Sequence, residues 1–203
     1  MSAAVGILLS GRGSNFVALH RAMAANEVPA EIALVVSNRA EAPGLEKAGE
    51  LGLATVCIPH QESATRREHD ERVLAALRGA GVEWICLAGY MRLLSADFVA
   101  NYSQRILNIH PSLLPSFPGL HVQKMALEWG VRVAGCTVHL VDEELDHGPI
   151  VVQHSVEIDD EDDDESLSAR ILIEEHKAYP EALRRLLTEK WRVEGRRIVW
   201  KAA

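Results

Sequence analysis

The sequence of 203 residues has few cysteines and few aromatic residues, and it contains no long apolar run. Its cysteines, Cys57, Cys86 and Cys136, are scattered through apolar stretches, which argues against a disulfide framework or a zinc site. No stretch approaches the roughly 18 uninterrupted apolar residues of a membrane-spanning helix, and the first residues lack the pattern of a signal peptide. We therefore expect a cytoplasmic protein that makes no membrane contact.

The net charge of −8 is concentrated in one stretch of the chain. Eight of the 29 acidic residues lie between Glu157 and Glu165, and the remaining acids balance the 21 Lys and Arg residues. We interpret this acidic run as a solvated loop whose charge favours the start of the next helix. A metal-binding loop is the alternative, although the glycine spacing of a calcium loop is missing. The sequence has no stripe of basic residues that would indicate a nucleic-acid partner.

Apolar runs alternate with helical patterns through the first half of the chain. Strands are predicted at 5–9, 32–36, 54–58, 84–88 and 105–108, with helices at 15–25, 43–51 and 66–77. This order is typical of an α/β fold with a doubly wound, mostly parallel sheet and helices on both faces.

The pattern changes after Pro118 and predicts antiparallel additions toward the C-terminus. It predicts helices at 121–129 and 166–187, strands at 136–141 and 150–158, and a terminal hairpin formed by 191–193 and 198–200. No repeat, linker or domain boundary is evident, and the length suits one core, so we expect a single domain over 1–203.

Asn108 and His110 stand at the end of a predicted strand that Pro111 terminates. Side chains alternate along a strand, so both residues point the same way while Ile109 packs into the core. An amide can donate a hydrogen bond to a developing oxyanion, and an imidazole exchanges protons near neutral pH. The pair suits acyl transfer, and two hydrogen-bonded structural residues are the alternative.

A glycine-rich turn, Ser10-Gly11-Arg12-Gly13-Ser14-Asn15, separates the first strand from the first helix. Its N–H groups and the helix N-terminus can bind an anion. Phe16 stands where a dinucleotide fingerprint has its third glycine, and the Gly-Lys-Ser/Thr of a P-loop is missing. The turn therefore indicates a single phosphate, such as that of a ribose 5-phosphate, or a plain strand-to-helix turn.

Two further loops combine apolar and polar groups. The segment 142–149 follows a strand and is closed by Gly148 and Pro149, and its carboxylates could hold an imidazole charged or position a water. The segment 90–94 suits a flat apolar ring that also needs hydrogen bonds. A solvated turn and a hydrophobic connection are the respective alternatives. Seven histidines without metal-ligand spacing are assigned to the surface or to the surroundings of the site: His20, His60, His69, His121, His147, His154 and His176.

Taken together and in this order, these segments resemble the phosphoribosylglycinamide formyltransferase family. The resemblance runs from Leu8 to about Pro180 and rests on four motifs and a Glu175-His176 pair followed by Tyr179-Pro180. The motifs are SGxGSN at 10–15, AGYMR at 88–92, NIHPSLLPxxPG at 108–119 and DxGP at 146–149. Arg12, at a variable position, is a mild departure.

The resemblance implies a role for each matched position. The catalytic residues would be Asn108, His110 and Asp146. The substrate phosphoribosylglycinamide would be bound by Gly13, Ser14, Asn15 and Glu175. The folate would contact Arg66, Met91, Arg92, Leu93, Leu94, Asn108, Asp142, Glu143, Glu144, Leu145 and Asp146.

The family's reaction moves a formyl group from 10-formyltetrahydrofolate to the amine of glycinamide ribonucleotide in purine synthesis. The resemblance implies that 10-formyltetrahydrofolate is the co-substrate and that neither a metal nor a nucleoside triphosphate is needed. It also implies that the partners are small molecules and that the protein is a monomer or a weak homodimer. A nucleotide-binding half (about 1–100) would precede a folate and catalytic half (about 101–203).

Three alternative functions stay open. The first is a methionyl-tRNA formyltransferase, which we expect to need a further C-terminal domain. The second is a formyltetrahydrofolate deformylase, which we expect to need an N-terminal domain. The third is a non-catalytic sensor of folate or nucleotide.

Overall fold

The computed structural model describes residues 2–201, in which strands and α-helices alternate along the first half of the chain. The strands are β1 (Ala3–Leu9), β2 (Ala30–Ser37), β3 (Thr55–Cys57), β4 (Trp84–Leu87), β5 (Ile106–His110), β6 (Val133–Leu140), β7 (Ile150–Glu157), β8 (Trp191–Glu194) and β9 (Arg197–Trp200). The α-helices are α1 (Ser14–Ala24), α2 (Pro43–Glu50), α3 (Arg66–Gly79), α4 (Ala96–Asn101), α5 (Val122–Trp129) and α6 (Asp164–Thr188). Within residues 2–201, no helix is long and apolar enough to cross a membrane.

All of the strands belong to one sheet, in the order β3-β2-β1-β4-β5-β6-β7-β9-β8. The first five strands pair in parallel, whereas β6 is antiparallel to both β5 and β7. The C-terminal hairpin of β8 and β9 joins the sheet through a parallel pairing of Ile150 with Arg197. The predicted doubly wound sheet with antiparallel additions is confirmed.

Apolar side chains fill both faces of the sheet. Along β1, Val5, Ile7 and Leu9 belong to the core under α1 and α6, whereas Leu8 belongs to the core under α3 and α4. Strands buried on both faces are continuous apolar runs, which is why this strand could be predicted from sequence. Tyr179 of α6 is fully buried, and its hydroxyl lies 3.0 Å from the carbonyl oxygens of Leu87 in β4 and Leu107 in β5.

The short helix α4 is missing from the sequence-based prediction. It has six residues, begins after the capping hydroxyl of Ser95, and buries Phe98 completely. Six residues are too few for a helical period to stand out from a buried apolar connection. Strand β5 also continues to His110, two residues beyond the predicted end, because it pairs with β6 as far as Thr137.

The strand order reverses between β1 and β4, which lie side by side at the centre of the sheet. The chain leaves these two strands in opposite directions, so a crevice opens at their carboxyl ends, where doubly wound sheets bind ligands. Two bonds tie the two connections together there: the Ser10 N–H donates to the Gly89 carbonyl at 3.0 Å, and the Met91 N–H donates to the Ser10 hydroxyl at 2.8 Å. The crevice thus brings together two of the segments singled out in the sequence.

The acidic run forms the loop that starts α6. Asp163 caps the helix by accepting from the Ser166 N–H at 2.8 Å, and this bond holds the pKa of Asp163 below its ordinary value. Asp162 pairs with Arg170, and Asp160 pairs with Arg132 at the surface. Since a lowered carboxyl pKa stabilises the folded state above that pKa, the cap is strong at neutral pH and fades in acid.

We therefore expect the triple variant Asp160→Asn, Asp162→Asn, Asp163→Asn to lower the melting temperature and to leave turnover nearly unchanged. The single variant Asp160→Asn, which removes only the surface pair, is the control for both measurements. A loss of turnover above about tenfold, equivalent to about 1.4 kcal/mol of barrier, would show that this loop is functional and not merely solvated.

Candidate active site

Three of the proposed catalytic side chains meet beside β5. His110 is the last residue of the strand, and its Nδ1 atom lies 3.4 Å from Oδ2 of Asp146. Both side chains are less than a tenth exposed. Asn108 lies two residues earlier on the same strand, so the alternation of side chains places it on the same face. The structure thus brings together the imidazole, the amide and the distal carboxylate.

Both ring nitrogens of His110 face oxygen acceptors. Its Nε2 atom donates to the Phe117 carbonyl at 2.9 Å, and Nδ1 faces the Asp146 carboxylate. Because Nε2 carries the N–H that donates to Phe117, Nδ1 is the nitrogen that faces Asp146, and a proton on Nδ1 would be directed at that carboxylate. The Ser112 hydroxyl donates to the Ser116 carbonyl at 2.6 Å and lies 3.1 Å from the Phe117 carbonyl oxygen.

His139 is a member of the site that sequence reasoning missed. It is the β6 residue directly opposite Asn108, and its Nε2 lies 3.1 Å from Asn108 Nδ2. Its Nδ1–H donates to the Leu140 carbonyl at 2.9 Å, so Nε2 is the atom that accepts. Burial lowers the pKa of His139, which keeps that nitrogen unprotonated. His139 therefore accepts one of the two N–H groups of the Asn108 side-chain amide and leaves the other to donate to a ligand.

Contacts at several points hold the loop that contains Asp146 in place. Asp146 has a φ of 51°, a left-handed conformation that Asp tolerates better than most residues, and its Oδ2 accepts from the Gly119 N–H at 2.9 Å. A Cβ atom on Gly148 would lie 1.8 Å from the Leu140 carbonyl oxygen, so glycine is required where the chain returns against β6. His147 bonds Asp142 at 2.8 Å, and Arg196 of the C-terminal hairpin donates to the His147 carbonyl.

The start of α1, after the glycine-rich turn, meets α6 on one face of the sheet. Gly13 has a φ of 68°, and α1 begins at the next residue, Ser14, so the first N–H groups of the helix face the crevice. Asn15 Nδ2 donates to Glu175 Oε2 at 2.6 Å, joining positions that are 160 residues apart. Burial raises the pKa of Glu175, an effect that the bond from Asn15 opposes. The predicted phosphate residues and the predicted sugar residue are thus in contact through Asn15 and Glu175.

Apart from Arg66 on α3 and Asn108 on β5, the predicted folate residues lie on two loops, 91–94 and 142–146. Met91, Leu93 and Leu145 are 61%, 52% and 55% exposed, so their apolar side chains are accessible to a ligand. Arg66, the first residue of α3, is also exposed. Among the described residues, no hydrogen bond or ion pair joins Arg66 to either loop, so its part in folate binding stays a prediction. The exposed Glu143 and Glu144 and the half-buried Asp142 complete the second loop.

No group of three or more His, Cys, Asp or Glu side chains within residues 2–201 is arranged to hold a metal ion. One histidine assigned to the surface or to the surroundings of the site is instead fully buried: His69 lies in the core beside Asp70, and its Nε2 bonds the Ile58 carbonyl at 3.0 Å. Its position in an otherwise charged stretch of α3 concealed this burial from the sequence analysis.

Comparison with known proteins agrees with this geometry. The model of the formyl transferase family matches residues 3–183. The phosphoribosylglycinamide formyltransferase of Escherichia coli is 38% identical over 190 residues, which cover 94% of this chain and 87% of that protein. The chain belongs to the phosphoribosylglycinamide formyltransferase family. The family predicted from the sequence motifs is therefore confirmed.

A solved structure and a longer relative extend the comparison. The solved structure of glycinamide ribonucleotide transformylase 1 from Symbiobacterium toebii superposes with a TM-score of 0.95 at 43% identity, covering 97% of this chain and 93% of that one. The trifunctional purine biosynthetic protein adenosine-3 of Drosophila pseudoobscura pseudoobscura is 51% identical over 181 residues, 88% of this chain. The chain spans 13% of the length of that fly protein.

Proposed function

We propose that this protein transfers the formyl group of 10-formyltetrahydrofolate to the amine of glycinamide ribonucleotide, a step of purine synthesis. The observation that carries the proposal is the convergence of Asn108, His110 and Asp146 at the crevice, within the family fold. The turn with the Asn15–Glu175 pair supplies a surface for a phosphoribosyl group. The exposed apolar loops supply a surface for the folate ring.

In this proposal the substrate amine attacks the formyl carbon and forms a tetrahedral intermediate with an oxyanion. The free N–H of Asn108 donates to that oxygen, because the other N–H is held by His139. The intermediate collapses by breaking the bond between the formyl carbon and N10 of the folate, which takes a proton and leaves as tetrahydrofolate. The former amine nitrogen loses one proton, so the transfer needs no net acid or base.

His110 would supply the proton or the second hydrogen bond. In the described structure its Nε2 is engaged by the Phe117 carbonyl, so a substrate oxygen has to replace that carbonyl to reach the ring. Asp146 stabilises the imidazolium by charge proximity, and its carboxylate can order a water that removes the amine proton. Gly13, Ser14 and Asn15 would bind the phosphate and Glu175 the sugar.

The proposed function is tested by offering the full-length protein three acceptors for the formyl group: glycinamide ribonucleotide, methionyl-tRNA and water. We expect folate-dependent turnover with the ribonucleotide and none above background with the other two. Turnover with methionyl-tRNA would indicate the tRNA formyltransferase, and release of formate without an acceptor would indicate the deformylase. Binding of folate without any turnover would indicate a sensor and contradict the proposal.

A further inference from the structure

A buried polar cluster lies beneath the loop Met91–Leu94. It consists of His69, Asp70, Tyr90, Arg92 and Ser95, of which His69 and Asp70 lie on α3 and the others border or belong to the loop. Asp70 is 3% exposed and His69 is fully buried. A carboxylate is rarely buried without a structural or functional reason, since removing it from water is costly unless it is hydrogen-bonded.

Asp70 bonds the backbone at the end of this loop. Its Oδ2 accepts from the Ser95 N–H at 2.8 Å, and the Ser95 hydroxyl in turn caps α4 by accepting from the Phe98 N–H. The other end of the loop is held by the bond from the Met91 N–H to the Ser10 hydroxyl, which itself donates to Asn38 at 2.6 Å. The loop is therefore fastened at both ends, while its apolar side chains at Met91 and Leu93 stay exposed.

The remaining buried polar atoms of the cluster belong to His69, Tyr90 and Arg92. His69 Nδ1 lies 3.7 Å from Asp70 Oδ1, and burial lowers the pKa of His69, so its only N–H is the one that donates to Ile58. The buried Oη of Tyr90 and Nε of Arg92 have no hydrogen-bond partner within residues 2–201. Burial and then the nearby Asp70 charge raise the pKa of Tyr90, which keeps its hydroxyl protonated as a donor.

We infer that Asp70 is a positioning residue for the folate: through the Ser95 N–H it sets the conformation in which the loop Met91–Leu94 receives the folate ring. The inference rests on the proposed function for the identity of the ligand, and the fastening of the loop stands on the hydrogen bonds alone. Asp70 touches no substrate. Its removal should weaken folate binding and spare both the ribonucleotide site and the chemical step.

The decisive test removes the donor rather than the buried acid. Ser95 has a φ of −75°, which proline can adopt, so Ser95→Pro deletes the N–H with little backbone strain. Ser95→Ala is the matched control, because it deletes the capping hydroxyl, which proline also lacks, and keeps the N–H. We expect Ser95→Pro to raise the KM for 10-formyltetrahydrofolate about tenfold relative to Ser95→Ala, as for a lost bond to a buried charge. Between these two variants, neither the KM for glycinamide ribonucleotide nor kcat should differ by more than about threefold.

Two variants of the acid complete the test. Asp70→Ala should raise the same KM, and Asp70→Asn should recover most of it, because the amide oxygen can still accept from Ser95. Asp97→Ala, an exposed acid on α4, should change nothing. Equal folate KM values in Ser95→Pro and Ser95→Ala would overturn the inference, as would a parallel rise in both substrate KM values.

Amide hydrogen exchange separates this inference from the proposed function. In Ser95→Pro and Asp70→Ala, the amides of the loop Met91–Leu94 should exchange faster, while those of β4 stay protected. That result is expected whether or not the protein turns over the proposed substrates, and unchanged exchange would overturn the fastening of the loop. A wild-type protein without turnover would contradict the proposed function alone.

Discussion

The Asn108→Ala variant should lose about 10²–10³-fold in kcat, the usual cost of removing one oxyanion donor. The amide is half-buried on β5 and fixed by His139, so its free N–H is aimed at the crevice before any substrate arrives. A preorganised donor acts on the charge that develops in the transition state. The loss should therefore appear in kcat more than in either KM.

The alanine side chain fits the same strand, so the fold of Asn108→Ala should be intact by circular dichroism and melting temperature. Asn101→Ala, which changes an exposed asparagine at the end of α4, is the matched control and should leave kcat unchanged. A folded Asn108→Ala protein with kcat within about threefold of the wild type would remove the oxyanion role from Asn108.

His110→Ala should cost at least as much as Asn108→Ala, because it removes both a hydrogen-bond donor and a proton carrier. Asp146→Asn should be nearly as severe: an amide keeps the shape of the carboxylate but cannot stabilise the imidazolium 3.4 Å away. Because the two side chains act as one unit, the double variant should lose far less than the product of the two single losses. Steady-state kcat for the four proteins of this cycle gives the coupling directly.

A second cycle supplies the reference for independence. His110→Ala combined with Asp160→Asn, a change at the surface pair with Arg132 that should itself leave turnover unchanged, should lose as much as His110→Ala alone, with no coupling between the two. If the losses of His110→Ala and Asp146→Asn multiplied, likewise without coupling, Asp146 would act independently of the imidazole. The proton-handling role given to Asp146 would then be wrong.

The features of this site that depend on neighbouring residues in the chain could be predicted from the sequence. The end of β5 could be predicted because an apolar run meets Pro111, and the alternation of side chains then aligns Asn108 with His110. The glycine-rich turn before α1 could be predicted because Gly13 precedes a helix start, and its binding of a phosphate stays a prediction. These features depend on a few neighbouring residues, so their physical chemistry can be read from a short stretch of chain.

The part that depends on strand pairing could not be predicted. His139 looks like any buried strand residue until the register of β5 and β6 places it opposite Asn108. The contact between His110 and the Phe117 carbonyl depends on a loop whose path leaves no periodic pattern. Asp70 was hidden for the same reason, since nothing near it in sequence indicates that it accepts from Ser95.

The roles of individual residues come from matched motifs, and the structure supports them unevenly. Asn15 and Glu175 touch, and so do His110 and Asp146 within an ion-pair distance, which gives each pair a physical basis. Arg66, which the resemblance assigns to the folate, makes no such contact, so its role depends on a ligand that reaches both Arg66 and the loops.

The most direct test of the central claim follows the formyl carbon itself. Full-length protein is mixed in a single turnover with glycinamide ribonucleotide and 10-formyltetrahydrofolate that carries an isotopic label in the formyl group. The account predicts that the label appears on the ribonucleotide amine at the rate at which tetrahydrofolate forms, and that Asn108→Ala slows both together. Label recovered as formate, or transfer that Asn108→Ala leaves at the wild-type rate, would contradict it.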